Sequence, residues 1–142
     1  MKQAYEPCKA AAFLALALSG CAAQAPAVPA NVSFGAGPAL ASPSSASNDA
    51  PPRILAMRFS GNDIRRGQTW AGRIVTTTNV ASVEVRTNLF SIDVPRRSFG
   101  VFAFAVHVFD LPPIFIRAYR VRVIARNSAG ASTEEDFPLR IR

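Results

Sequence analysis

From Arg53 onward the sequence repeats one small pattern. Apolar and polar residues alternate along short runs, and glycine, proline or asparagine then breaks the run. Alternation with a period of two puts successive side chains on opposite faces of an extended strand. Short strands separated by turn residues every ten or so positions are the mark of a two-layer β-sandwich. The pattern predicts strands near 53–59, 69–77, 81–87, 89–94, 100–109, 118–126 and 136–141. Gly61-Asn62-Asp63, Arg66-Gly67, Asn79, Pro95 and Pro112-Pro113 fall between them. No stretch of this region carries a helical period, and β-branched and aromatic residues dominate the runs. The fold class expected is all-β, a single antiparallel sandwich of about seven strands.

The sixth run reads YRVRVIARNSAG, from Tyr119 to Gly130. Tyr119, Val121, Val123 and Ala125 share one face, and Asn127 and Gly130 suit a turn that needs positive φ. This stretch resembles the F strand and F–G turn of fibronectin type III and related immunoglobulin-like domains. The resemblance implies an Ig-like sandwich in which the hydroxyl of Tyr119 ties back to upstream backbone. Leu111 and Pro113 resemble the Leu-x-Pro that precedes such a tyrosine, with a longer spacing. Trp70 is the expected inter-sheet aromatic. A jelly roll or a small barrel is the alternative architecture.

Cys8 and Cys21 are the only cysteines, and both precede the alternating region. The domain therefore has no disulfide and no thiolate metal site of its own. Packing alone must hold it, through Phe102, Phe104, Val106 and Val108 against Val83, Val85, Val121, Val123, Leu139 and Ile141. Each large side chain buried contributes about 1.5–3 kcal/mol before ordering entropy is subtracted.

The N-terminal third has a different composition. Lys2 and Lys9 precede an uncharged Ala/Leu-rich run, Ala10 to Leu18, which is too short to span a bilayer as a helix and suits a secretory signal. The segment Leu18-Ser19-Gly20-Cys21 resembles the lipobox of bacterial lipoproteins. The resemblance implies diacylglyceryl attachment to the Cys21 thiol, cleavage before Cys21, and further acylation, such as palmitate, of the new amino group. Residues 22–52 are rich in Pro, Ala and Ser and poor in large apolar side chains, so they cannot bury enough surface to offset ordering. The expected organisation is a signal peptide over 1–20, a lipidated cysteine with a disordered linker over 21–52, and one Ig-like domain over 53–142. The resemblance places the chain in the bacterial cell envelope, on the outer or the cytoplasmic membrane, facing the periplasm or the surface.

The whole formal net charge of +7 resides in the region from Arg53 on. Strand parity sends Glu84, Arg86, Arg120, Arg122, Arg126, Arg140 and Arg142 to one outer face, with Ile124 among them. Of these, Arg86, Arg120, Arg122, Arg126 and Arg140 are the candidates for contact with an anionic surface, such as phospholipid headgroups or an acidic envelope polymer. The alternative is a solvated face shielded by arginine stems. The other outer face carries Ala56, Arg58, Ala71, Arg73, Val75, Val101, Ala103, Ala105 and His107. It is small and mostly apolar, and Ala71, Val101, Ala103 and Ala105 are the candidates for docking a partner protein. The run 100–109 is expected in the interior of its sheet, because an exposed edge of that composition would aggregate.

Catalytic chemistry is not expected. His107 is the only histidine and points to the exposed side. It has no serine or carboxylate companion in a fixed motif. Glu134-Glu135-Asp136 alternate in direction, whereas a calcium ion needs six to eight converging oxygens. No glycine loop for phosphate is present, so no cofactor and no metal are expected. Export would separate the chain from nucleic acid, and no aromatic–basic interleaving marks an exposed face. The reading is a lipid-anchored envelope protein displaying a non-catalytic Ig-like binding or structural module. Two narrower readings accompany it. One is an accessory subunit of an envelope complex, docking through the small apolar face. The other is a binder of anionic polymer or membrane surface, working through the arginine face. The partner's identity and the oligomeric state are not legible in the sequence.

Overall fold

The computed structural model describes residues 39–109 and 112–142. The expected signal segment, Cys21, the linker up to residue 38, and Leu111 lie outside the described residues. The described residues form nine strands: β1 (Ile54–Phe59), β2 (Asp63–Ile64), β3 (Thr69–Thr76), β4 (Val80–Arg86), β5 (Ser91–Val94), β6 (Arg96–Ser98), β7 (Val101–His107), β8 (Ala118–Asn127) and β9 (Ser132–Ile141). A 3-10 turn, Pro113–Phe115, stands between β7 and β8. Two sheets pack face to face, one in the order β1-β3-β7-β6 and the other β2-β9-β8-β4-β5.

That order defines the class. The first sheet has the A-B-E-D arrangement of an immunoglobulin-like sandwich, and β9-β8-β4-β5 has the arrangement G-F-C-C′. Between the named strands, the pairings are antiparallel except that of β2, which runs parallel to β9. After β1 the chain thus crosses from one sheet to the edge of the other. Pro138 stands in β9 opposite Arg120, at a point that β2, reaching only Arg140 and Ile141, does not cover. A proline is tolerated there because no ladder bond is required of it on the open side.

The core is the expected one. Trp70, Ile74, Val83, Val85, Phe102, Phe104, Val121, Val123, Leu139 and Ile141 are buried together, with Val106 and Val108 half-buried against them. Trp70 lies flat on Phe59, 5.5 Å between centroids, and edge-on to Phe104 at 4.9 Å. Its indole N–H donates to the Gly61 carbonyl at 3.2 Å. The Tyr119 hydroxyl donates to the Phe115 carbonyl at 2.7 Å, the backward tie that the strand resemblance implies. β7 runs between β3 and β6, so its apolar run is interior to the sheet, as expected.

The ordered unit begins earlier than Arg53. Ser44 bridges Thr77, and the Thr78 N–H donates to the Ser44 carbonyl at 2.9 Å. The Asn79 amide donates to the Ser47 and Ala50 carbonyls at 2.9 and 2.7 Å. The Asn127 amide donates to those of Asn48 and Ala50 at 3.3 and 3.1 Å. These bonds use backbone carbonyls, which a segment of any composition offers, so a small-residue sequence does not prevent docking. Pro43 occupies the space that a side chain on Gly100 would need, 2.7 Å from an ideal Cβ, and Gly100 has φ +70°. Residues 43–52, part of the expected linker, therefore pack on the folded unit.

The antiparallel ladders give the sandwich two distinct ends. One holds residues 77–79, 98–100 and 127–131 together with the docked segment 44–50. The opposite end holds residues 60–68, 87–90 and 112–117.

Candidate functional site

The outer face of the five-stranded sheet carries the arginines where parity put them, but it is an ionic lattice rather than a bare cationic field. The register sets Arg86 of β4 beside Arg122 of β8, and Arg122 beside Asp136 of β9. Glu84 lies buried at its centre. Its carboxylate accepts bonds from Ser91 Oγ at 2.6 Å, Arg86 Nε at 2.7 Å and Arg126 Nη1 at 2.9 Å. Arg122 pairs with Glu134 at 3.1 Å and Asp136 at 3.2 Å. Arg120 stands 3.7 Å from Asp136 and is largely in solvent. Arg142 pairs with Asp63 and, with Arg140 and Arg65 nearby, holds that carboxyl below its ordinary range. Glu84 and Ile124 face outward as expected yet are buried. Glu84 is held there by the arginines bonded to it, and long arginine stems can cover a sheet face of this kind.

The hydrogen bonds from Ser91 and Arg126, reinforced by Arg86 against the opposing effect of burial, pull the Glu84 carboxyl from its ordinary 4.5 to about 2. A depressed pKa means that the folded state prefers the carboxylate. The stabilisation is complete above the ordinary value and is lost as the pH falls through the depressed one. Glu84→Gln should cost about 1–3 kcal/mol at neutral pH. Melting curves recorded from neutral pH down to about pH 2 should show the native and variant proteins converging at the acid end. A gap between them that is independent of pH would rule out this account.

The small apolar face of the other sheet differs from expectation. Ala71, Val75, Val101 and Ala103 are buried, and Ala105 is half-buried. The register places Arg58, Arg73 and Ala103 in one row, so tall side chains stand beside the small ones. The Ser60 hydroxyl closes over the edge by accepting from the Ala71 N–H at 3.0 Å. Ala71, Val101, Ala103 and Ala105 therefore do not make an open docking patch. Parity gives the direction of a side chain, not its cover.

The accessible features gather at the end opposite the docked segment. Arg86, Arg120 and Arg122 line a concavity of about 230 Å³ with Thr87 and Asn88. Arg126 sits further along β8, committed to Glu84. Behind the same β4–β5 turn opens a cleft of about 240 Å³ lined by Ile64, Trp70, Phe90, Ile92, Val106 and Phe109, among others. Sequence reasoning missed this cleft, because it forms where two sheets diverge and no local pattern encodes that. His107 is exposed and stands edge-on to Phe109, 5.2 Å between ring centroids. Among the described residues no three of His, Cys, Asp and Glu converge as a metal site would require. No helix among them is long and apolar enough to cross a membrane.

The molecule so described is an immunoglobulin-like sandwich with one arginine-bearing, cleft-bearing end. No protein-family model matches the chain, and no curated protein matches it. Solved structures do. The chain is similar to the fibronectin(III)-like modules of Clostridium thermocellum CbhA, at 19% identity over 57% of this chain and 85% of that one, with a TM-score of 0.41. It is similar to a superoxide reductase (neelaredoxin) from Ignicoccus hospitalis, at 9% identity over 65% of this chain and 80% of that one, with a TM-score of 0.43.

Proposed function

We propose that the chain is a bacterial envelope lipoprotein, acylated at Cys21, that displays a non-catalytic Ig-like module toward an anionic partner surface. The lipobox-like Leu18-Ser19-Gly20-Cys21 after an uncharged Ala/Leu run supports the anchor. The observation that carries the display is the polarity of the domain. The chain enters at the end where Asn79 and Asn127 hold residues 47–50. The opposite end, with Arg86, Arg120 and Arg122 around a concavity, is left open. Two or more acyl chains hold a protein stably on a membrane, each buried methylene contributing about 0.8 kcal/mol.

Expressed in a bacterial host, the native chain should fractionate with membranes and gain the mass of its acyl groups. Cys21→Ser should move it to the soluble fraction or leave an uncleaved precursor. Unchanged fractionation and mass would reject the anchor. An accessory subunit docking through Ala71, Val101, Ala103 and Ala105 is not favoured, because that surface is largely covered.

A further inference from the structure

We infer that the end of the sandwich opposite residues 44–50 docks onto the surface of an anionic phospholipid bilayer, with apolar side chains entering the interface and arginines holding headgroup phosphates. This inference rests on the proposed preference for an anionic partner and names that partner.

Four of the five exposed large apolar side chains among the described residues lie at this one end: Leu89, Phe109, Ile114 and Ile116. Phe109 is 70% exposed and Ile114 is 72% exposed. The fifth, Phe99, belongs to the other end, one residue before Gly100. Single exposed apolar residues are ordinary, but a group gathered at one pole of a small domain marks an interaction site. The local structure holds them out rather than leaving them loose. Ile114 sits in the 3-10 turn Pro113–Phe115, whose Phe115 carbonyl is fixed by the Tyr119 hydroxyl. Leu89 sits in the β4–β5 turn, where the Thr87 hydroxyl accepts from the Leu89 and Phe90 N–H groups, both at 3.1 Å. Phe109 stands at the wall of the apolar cleft, next to His107.

Charge complementarity selects the partner. Arg65, Arg66, Arg117 and Arg120 are exposed around these side chains, and Arg86 and Arg122 complete the concavity beside the turn. The described acids of this end are engaged already, Asp63 by Arg142 and Asp136 by Arg122 and, at 3.7 Å, by Arg120. Arg120 shares Asp136 with Arg122, and Arg86 is bonded to Glu84, yet the arginines of this end outnumber its described acids, an excess that a protein partner with a matching apolar patch would not need. A free polyanion would not need the apolar side chains. An anionic bilayer uses both, since apolar groups enter the acyl boundary while each cation near the surface adds attraction. The cleft adds room: a cavity of about 150 Å³ already takes a benzene ring, and this one measures about 240 Å³.

The test is co-sedimentation of the full chain carrying Cys21→Ser, so that attached acyl groups do not contribute. The vesicles are phosphatidylcholine alone, or phosphatidylcholine with about one third phosphatidylglycerol. Variants share residues 1–38 with the parent, so any contribution from that segment cancels. The expected result is binding to the anionic vesicles that falls at least about tenfold in the pair Phe109→Ser with Ile114→Ser. It should fall comparably in the pair Arg65→Ser with Arg120→Ser and in high salt, with unchanged melting temperatures. Full binding by the apolar pair alongside loss in the arginine pair overturns the insertion but leaves the anionic-partner reading standing. Equal binding to both vesicle types overturns the choice of an anionic bilayer. No effect from either pair overturns both readings.

Discussion

Gly72→Val is expected to leave no folded domain. Gly72 lies in the central strand β3, paired with Phe59 on one side and Phe104 on the other. Both rings lean over the glycine. An ideal Cβ there would stand 2.4 Å from Phe104 Cε1 and 2.8 Å from Phe59 Cδ1. Neither ring has a free direction, because Phe59 also stacks on Trp70 and packs on Phe137 at 4.2 Å, and Phe104 meets Trp70. Even Gly72→Ala must displace an aromatic ring, at a cost of about 1–3 kcal/mol for overpacking. Valine adds two more carbons to the same space. The alanine variant should show a lowered guanidinium midpoint with an unchanged slope. The valine variant should lack near-ultraviolet circular dichroism and dispersed amide resonances. A native-like melting temperature for valine would show that the rings have room the structure does not reveal.

The second large effect is expected at Trp70. Trp70→Ala removes the plate that Phe59 and Phe104 pack against and opens the floor of the apolar cleft. Large-to-small changes of this kind cost about 3–5 kcal/mol. In a domain of this size each kcal/mol moves the melting temperature by roughly 4–8 °C. A drop of the order of 15 °C or more is expected by calorimetry. Trp70→Phe keeps an aromatic surface and loses only the hydrogen bond to the Gly61 carbonyl, so it should fall by much less. Equal losses in the two variants would assign the stability to that hydrogen bond instead of to ring packing.

The long strands were legible because their information is local. The alternation from Tyr119 to Ala125 gives the direction of every side chain in that part of β8, and each of its inward residues is buried. β2 was not legible. It consists of Asp63 and Ile64 alone, and it exists because β9, far along the chain, offers Arg140 and Ile141 as partners. The three residues of β6 follow Pro95 and owe their pairing to β7 in the same way. Among the candidate site residues, parity placed the arginines correctly but could not pair them. The acids that occupy Arg122 and Arg126 come from β9 and β4, and only the register brings them to β8, whereas Glu84 and Arg86 are neighbours on one face of β4. For the same reason Ala103 reads as accessible in one dimension and is covered in three.

The docking of residues 44–50 on Asn79 and Asn127 also has a consequence for polymer statistics. In the proposed lipoprotein, held at Cys21, the connecting length would be residues 22–42 instead of 22–52. Effective concentration near an attachment point falls roughly as the −3/2 power of the connecting length, so the shorter connection would raise it about 1.8-fold. Asn79→Ala with Asn127→Ala would lengthen the leash without altering its sequence. In the proposed lipoprotein, two asparagine side chains would thereby set how densely the membrane samples the module.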